Sequence, residues 1–478
     1  MHFDSPTRRQ FLGKMLALAG GSSLPFTLNL AAMGNAAAAD ATDYKAIVCL
    51  FLNGGNDHFN TVLATDSTSW NTYRRIRTTA DGGSIALPAV GATGGVLPVV
   101  PNSPQAGRTF ALHPSMQPLK ELFDAGRVAV LANVGTLIEP VTLAQYKAGA
   151  AVLPSRLFSH NDQQAMWQSS QTEQAGGPGW GGRLGDLLAA SNGNASFTCI
   201  STAGNATFLS GRSVRYYQLS GAGAAPINKL SGSMFGAPAS ANPLRQIVAG
   251  DYNDPFQKEY AAVTARAIDS HAALASAMLG AGATGVANPP PYINPNTGAT
   301  SVNPLAVQLQ TVARVIGARN ALGLKRQVFY VSLSGFDSHD LQARNQADLL
   351  AKVAHAMAYF DGVMAGLQGA DMRKQVTLFT ASDFGRTFTS NGDGTDHGWG
   401  SHHFIMGGAV KGKNIYGHMP DTGLGHDLDV GSGALLPTTS VDQYGATLAS
   451  WFGLSATQIA DVFPNIGNFS TRNLGFMG

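Results

Sequence analysis

The stretch VTLFTASDFGRTFTSNGDGTDHGWGSHHFIMGGAV, Val376 to Val410, places two apolar runs around a polar turn rich in acids and histidines. Val376 to Thr380 is β-branched and aromatic, the pattern of a strand buried on both faces at the centre of a parallel sheet. Polarity then reverses at Ser382, Asp383, Gly385 and Arg386, and the second run, Phe404 to Met406, closes in Gly407 and Gly408. In an open parallel sheet, ligands bind beyond the carboxyl ends of the strands, so an acid and a cation at this point stand where chemistry is done. The same grammar occurs twice more. Ala46 to Leu52 runs into Asn53-Gly54-Gly55-Asn56-Asp57-His58, and Val328 to Leu333 runs into Ser334-Gly335-Phe336-Asp337-Ser338-His339-Asp340. Three such endings predict one shared sheet edge, although an Asp or Asn after a strand can equally cap the following helix.

Working outward, helices and strands alternate. Helical spacing covers Met116–Ala125, Leu305–Leu322, Asp340–Leu367 and Asp442–Phe452, and a strand is predicted over Arg127–Val134. In Asp340–Leu367 the residues Leu349, Leu350, Val353, Met357, Phe360 and Met364 share one face. This rhythm predicts an α/β fold, a three-layer sandwich with a mainly parallel central sheet. Residues 64–114 and 191–304 are weakly patterned and read as insertions forming a loop-rich rim. Phe256–Leu279 is helical within the second of them, and Asn288–Pro304 is too proline-rich for a helix or central strand. The polar cluster Ser155–Asp162 leads into a helix predicted over Gln163–Ser170. Ser159 is there either a nucleophile or a plain N-cap, and His160 either its partner or a metal ligand.

Thr7-Arg8-Arg9-Gln10-Phe11-Leu12-Gly13-Lys14 reads as a twin-arginine export signal, with Ala37-Ala38-Ala39 as a small-residue cleavage site. The run between them carries Gly20, Gly21, Ser22, Ser23, Pro25 and Asn29, too polar for a membrane anchor, so no stable anchor is expected. The expected product is periplasmic or secreted, with the twin-arginine translocase as its partner during export. The signal holds the charge excess: Arg8, Arg9 and Lys14 outweigh Asp4 by two, and the whole chain is +2. The remainder is near neutral, which argues against a nucleic-acid partner. Charged residues are only 13% of the chain, so its surface is expected to be built of Ser, Thr, Asn, Gln and Gly. Cys49 and Cys199 each lie inside an apolar run and are expected as buried free thiols.

The signal, LNGGNDHFNT, FSHNDQQAMW, GWGGRLGDLL, GFDSHD, SDFGRT, TDHGW with MGGAVKG, and VDQYGATLASWFGL together resemble the bacterial family known as domain of unknown function 1501. That family looks distantly related to the alkaline phosphatase and sulfatase superfamily. The resemblance implies a signal over residues 1–39 and one alkaline-phosphatase-like domain over 40–478. It also implies one or two divalent ions (Zn, Mn, Mg or Ca) and a phosphate or sulfate ester as substrate, small or polymeric. Asp337 and His339 are similar to the superfamily's metal-binding Asp and His, and Asp396-His397 to the late His that completes the site, with His402 and His403 as competitors. Asp383 matches the sulfatase Asp-His-Gly turn, but Phe384 stands at that turn's histidine. Asn53 takes the place of an early metal-binding Asp, for which Asp57 is the substitute. The Cys-x-Pro-x-Arg and Ser-x-Pro-x-Arg signatures are missing, which leaves Ser159 as candidate nucleophile. Arg386 is either an oxyanion clamp or a buried strut against Asp383. The alternative function is a non-catalytic periplasmic binding or assembly protein on the same fold.

Overall fold

The computed structural model describes residues 43–478 apart from 79–83, 172–175, 221–222, 224–229, 231–232, 235 and 239–241. The predicted export signal lies outside the described residues. The central sheet has nine strands: β1 Lys45–Asn53, β2 Val128–Gly135, β3 Cys199–Ser201, β4 Tyr217–Gln218, β5 Arg326–Ser334, β6 Val376–Ser382, β7 Ser401–Met406, β8 Ile415–Tyr416 and β9 Thr439–Ser440. Their order is β8-β2-β7-β6-β1-β5-β3-β4, with β9 also on β2. β1 lies parallel between β5 and β6. β7 alone among these strands is antiparallel to its neighbours, β6 and β2, so the apolar run Phe404–Met406 returns through the sheet instead of extending its parallel part.

Strand β1 shows why the fold has three layers. Its residues alternate between two apolar clusters: Ala46, Val48, Leu50 and Leu52 join one, and Ile47, Cys49 and Phe51 the other. A strand sends successive side chains to opposite faces, so a strand apolar throughout must be covered on both sides. One cover is built from helices α1 Gln117–Asp124, α4 Pro304–Gly317 and α5 Gln342–Ala365, whose Leu119, Leu309, Val312, Val353, Met357 and Phe360 pack on the first face. The other comes from α2 His160–Ser169, α3 Trp180–Leu188 and α6 Val441–Phe452, through Trp167, Trp180, Leu184, Tyr444 and Leu448. The predicted sandwich is what forms.

Element boundaries shift where capping was hidden. α2 begins three residues before the predicted start, with Ser159 as its N-cap and His160 as its first residue. The rim over 64–114 carries a helix, Ser67–Arg77, that its polar sequence concealed, capped by the Asp66 carboxylate on the Ser69 amide. The proline-rich loop folds a two-stranded hairpin, Tyr292–Ile293 with Thr300–Ser301. Cys49 and Cys199 are free and buried. Among the described residues no helix is long and apolar enough to cross a membrane.

Candidate metal centre

Strands β1, β5 and β6 end level. Asn53 pairs with Ser334 across one seam and Leu52 with Ser382 across the other, so their three exit turns meet above adjacent strands. Gly54 allows that meeting. At φ +116° it is in a conformation that favours glycine, and a Cβ there would lie 2.3 Å from the Asp337 amide nitrogen. Its N–H donates to Asp383 Oδ1 (3.0 Å), and its carbonyl accepts from the Arg386 guanidinium (3.1 Å).

Asp337, from the turn after β5, is the hub. Its Oδ1 lies 3.1 Å from His339 Nε2 and 3.3 Å from His397 Nε2, and those two nitrogens are 3.0 Å apart. Its Oδ2 lies 3.3 Å from His160 Nε2. His160, Asp337 and His397 form a second triplet whose ligand atoms fall within 4.8 Å of one another. Three imidazoles from separate segments, the first turn of α2, the turn after β5 and the loop between β6 and β7, therefore aim at one carboxylate.

Each ring is also held from behind. His160 Nδ1 bonds Asp383 Oδ2 at 2.8 Å, His397 Nδ1 the carbonyl of Phe158 at 2.8 Å, and His339 Nδ1 Asp396 Oδ1 at 3.2 Å. Carbonyl and carboxylate oxygens only accept, so every Nδ1 carries a proton, and a ring in its neutral form turns the Nε2 lone pair toward Asp337. That arrangement, an oxygen behind each ring and a bare nitrogen in front, orients histidine as a metal ligand. Bonds of about 2.1 Å at tetrahedral angles would set ligand atoms roughly 3.4 Å apart, close to the separations of 3.0 to 3.3 Å around Asp337. Either triplet, Asp337 with His339 and His397 or Asp337 with His160 and His397, fits one cation through three ligands.

Electrostatics follow from the packing. Burial works to raise the Asp337 pKa, but the hydrogen bond and charge of Arg386 outweigh it and hold the carboxyl below its ordinary range. The His160 pKa is raised, chiefly by its hydrogen bond to Asp383, with the charges of Asp383 and Asp337 adding. Burial lowers that of His397, helped by the neighbouring charges of His160 and Arg386.

The other candidates fall outside the hub. Asp57 is not a ligand here: both its oxygens bind the Arg77 guanidinium (2.5 and 3.1 Å), one also accepts from Gln342, and the pair is fully buried. A carboxylate so enclosed needs the cation it already has. Asp383 stands behind His160, and Asp396 behind His339, instead of beside a cation. Ser159 holds the N-cap position of α2 by its backbone alone, its hydroxyl donating to Asp162 Oδ2 (2.7 Å) and not accepting from a helix amide. Arg386 is a strut, but against Asp337 (2.9 Å) and not Asp383. Its remaining bonds go to Gly54 O, Thr395 Oγ1 and Thr395 O, so four of its five N–H groups are engaged and the side chain is fully buried. Phe384 is buried with its ring against His160 and His397, centroids 4.8 and 4.7 Å away. His402 accepts from the Asn133 amide, and His403 packs on Trp167 and Tyr444. Two contributors were missed. Gln164, one helical turn after His160, donates to Asp383 Oδ2 and Asn53 Oδ1, a role its i+4 spacing could have signalled. The Phe158 carbonyl, being backbone, leaves no mark in the sequence.

An Asp and three histidines thus gather at the strand ends of an α/β sandwich, the edge where open parallel sheets bind their ligands. The model of the family "Protein of unknown function (DUF1501)" matches residues 44–463, and the chain belongs to that family. No curated protein matches it. Among solved structures it is similar to Ps i-CgsB in complex with k-i-k-neocarrahexaose, at 9% identity over 89% of this chain and 77% of that one, TM-score 0.36. It is also similar to the lipoteichoic acid synthase LtaP from Listeria monocytogenes, at 8% over 89% and 78%, TM-score 0.30, and to a 2-O GAG sulfatase, at 11% over 88% and 74%, TM-score 0.28. Similarities this low settle neither substrate nor chemistry, which must come from the site itself.

Proposed function

We propose that this protein is a metal-dependent hydrolase of phosphate or sulfate esters, exported by the twin-arginine translocase on the signal at Thr7–Lys14. The observation that carries the reading is the convergence of three Nε2 atoms, each with its Nδ1 anchored, on Asp337. An imidazole-rich set with one carboxylate favours Zn over Mn, Mg or Ca, which suit oxygen-rich shells. A divalent cation held by three of these four groups would keep a fourth position open for water, lower that water's pKa toward about 7 and act as a Lewis acid on the ester oxygen. The chain's own groups orient that chemistry. Asp383, Asp396 and Phe158 fix the rings, Arg386 offsets the charge of Asp337, and Phe384 closes one side against water. The amides of Asn53 and Gln164 offer neutral hydrogen-bonding groups beside the centre.

The test is elemental analysis of the purified mature protein, followed by hydrolysis of 4-nitrophenyl phosphate, bis(4-nitrophenyl) phosphate and 4-nitrophenyl sulfate. One equivalent of Zn or Mn with turnover that fails in H339A and H397A supports the proposal. A second reading, a metal-containing binding protein, is favoured by the engagement of Ser159 with Asp162 and of Arg386 with its four partners. Full metal loading without turnover on the panel would establish it over the hydrolase.

A further inference from the structure

The charges around the hub bear on which ester it takes, an inference that rests on the hydrolase reading and narrows it. Three carboxylates surround the histidines: Asp337 in front, Asp383 behind His160 and Asp396 behind His339. One guanidinium, Arg386, is bonded to Asp337. These groups leave two negative charges, which one divalent cation brings to zero. The imidazoles add none as ligands, and Arg386 is fully buried with its bonds turned to Asp337, Gly54 and Thr395. Phe384, an aromatic ring without a ligand atom, packs against His160 and His397 on one side of the hub.

From this balance we infer that the centre takes monoanionic esters, the class of phosphate diesters and sulfate monoesters, and discriminates against phosphate monoester dianions. The physical reason is the second charge. A dianion brings one more negative charge next to Asp383 and Asp396 than a monoanion does, and no further cation or arginine in the hub meets it. A charge about 7 Å away acts on it with roughly 0.6 kcal/mol in water and about 2.4 kcal/mol at an effective dielectric of 20. The fully buried Asp383 acts toward the upper figure, about fifty-fold, and Asp396, whose side chain is 61% exposed, toward the lower, about three-fold. The nearest unassigned cation by sequence, Arg156, precedes Phe158 by two residues but is largely exposed and 4.0 Å from Asp162, so water and that carboxylate blunt it.

The experiment compares the metal-loaded wild type with D396N, which keeps a side-chain oxygen for His339 Nδ1 while removing one charge. Turnover is measured on bis(4-nitrophenyl) phosphate, 4-nitrophenyl sulfate and 4-nitrophenyl phosphate at pH 8. Affinity for two inert probes, phenylphosphonate dianion and benzenesulfonate, is measured by calorimetry, with metal content checked in each sample. The expected result is at least ten-fold higher kcat/KM for a monoanionic ester than for the dianion. In D396N, phenylphosphonate binding should gain at least three-fold more than benzenesulfonate binding does. Equal gains for both probes, or a dianion turned over as well as the monoanions, would overturn the inference while leaving the hydrolase reading intact. No turnover of any ester by the loaded protein would sink both.

Discussion

The carbonyl of Phe158 accepts the Nδ1 proton of His397 across 2.8 Å, and Phe158 does so from a left-handed backbone conformation, φ 69°. Arg156 in the same turn is also left-handed, φ 48°. Such conformations cost non-glycine residues on the order of 1 kcal/mol or more each, and they persist where surrounding structure enforces them. Here the turn delivers a backbone oxygen behind His397 and then starts α2, so that His160 follows two residues later. Replacing the largely exposed Arg156 with Gly should relieve its share. The metal-free protein is expected to gain about 0.5 to 1 kcal/mol by thermal or denaturant unfolding, with metal affinity unchanged. Loss of stability would show that the Arg156 side chain contributes more than its backbone costs.

Removing the hub and removing a buried strut should give opposite signatures. D337A deletes the only carboxylate among the ligand atoms and is expected to abolish stoichiometric metal binding. The metal-free fold should lose less stability than that of D57A: Arg386 is left buried with only its neutral bonds to Gly54 and Thr395, but Asp337 itself is partly exposed, so water can reach its place. D57A instead strands the fully buried Arg77 guanidinium and should cost about 3 to 5 kcal/mol of unfolding free energy. The fraction that remains folded should bind metal normally. Calorimetric titration combined with chemical denaturation checks both. A D57A protein that folds normally but fails to load metal would restore Asp57 as a ligand.

Asp442 gives a pH signature away from the centre. It is buried at the start of α6, where Ser170 donates to one oxygen and the Asn465 amide to the other. Desolvation nevertheless raises its pKa from 3.8 to about 7. A carboxyl with a raised folded pKa is protonated in the folded state while already ionised in the unfolded one. Its contribution to stability is therefore full below about pH 4 and lost as pH rises through about 7. The difference in unfolding free energy between wild type and D442N should change across pH 4 to 7 in that direction and level off above. A difference that stays flat over the window would mean that Asp442 is ionised in the fold.

Much of this was legible because burial writes itself into pattern. The continuous apolar runs of β1, β5 and β6 announced strands covered on both faces, and the polar reversal after each marked the edge where Asp337, His339 and His397 meet. What could not be read was which acid faces the centre and which stands behind a ring. Asp57 and Asp383 follow their strands in the same way, yet one is claimed by Arg77 and the other by His160. Those choices depend on partners from a polar helix in the rim and from the first turn of α2, neither of which is tied to the strands by sequence spacing. The helix Ser67–Arg77 was hidden because its few apolar residues, such as Tyr73, pack on a small satellite cluster instead of the main core.

The assignment of Asp383 to a place behind His160 makes the sharpest prediction. Its side chain is fully buried, with Oδ1 on the Gly54 amide and Oδ2 shared by His160 Nδ1 and Gln164 Nε2. If it works through His160, D383N removes the charge that fixes that ring's tautomer, and such changes typically weaken metal binding by about 10- to 100-fold. If it were itself a ligand, the loss would be independent of His160. A double-mutant cycle separates the two, since coupled residues fail to add while independent ones do. Metal affinity is to be measured for wild type, H160A, D383N and H160A/D383N, alongside the stability of each metal-free protein. The expected outcome is that D383N costs little further affinity once His160 is gone, and that the ¹⁵N resonances of His160 show loss of the Nδ1–H tautomer in D383N alone. Additive losses in the cycle, with the His160 tautomer unchanged, would move Asp383 into direct contact with the cation.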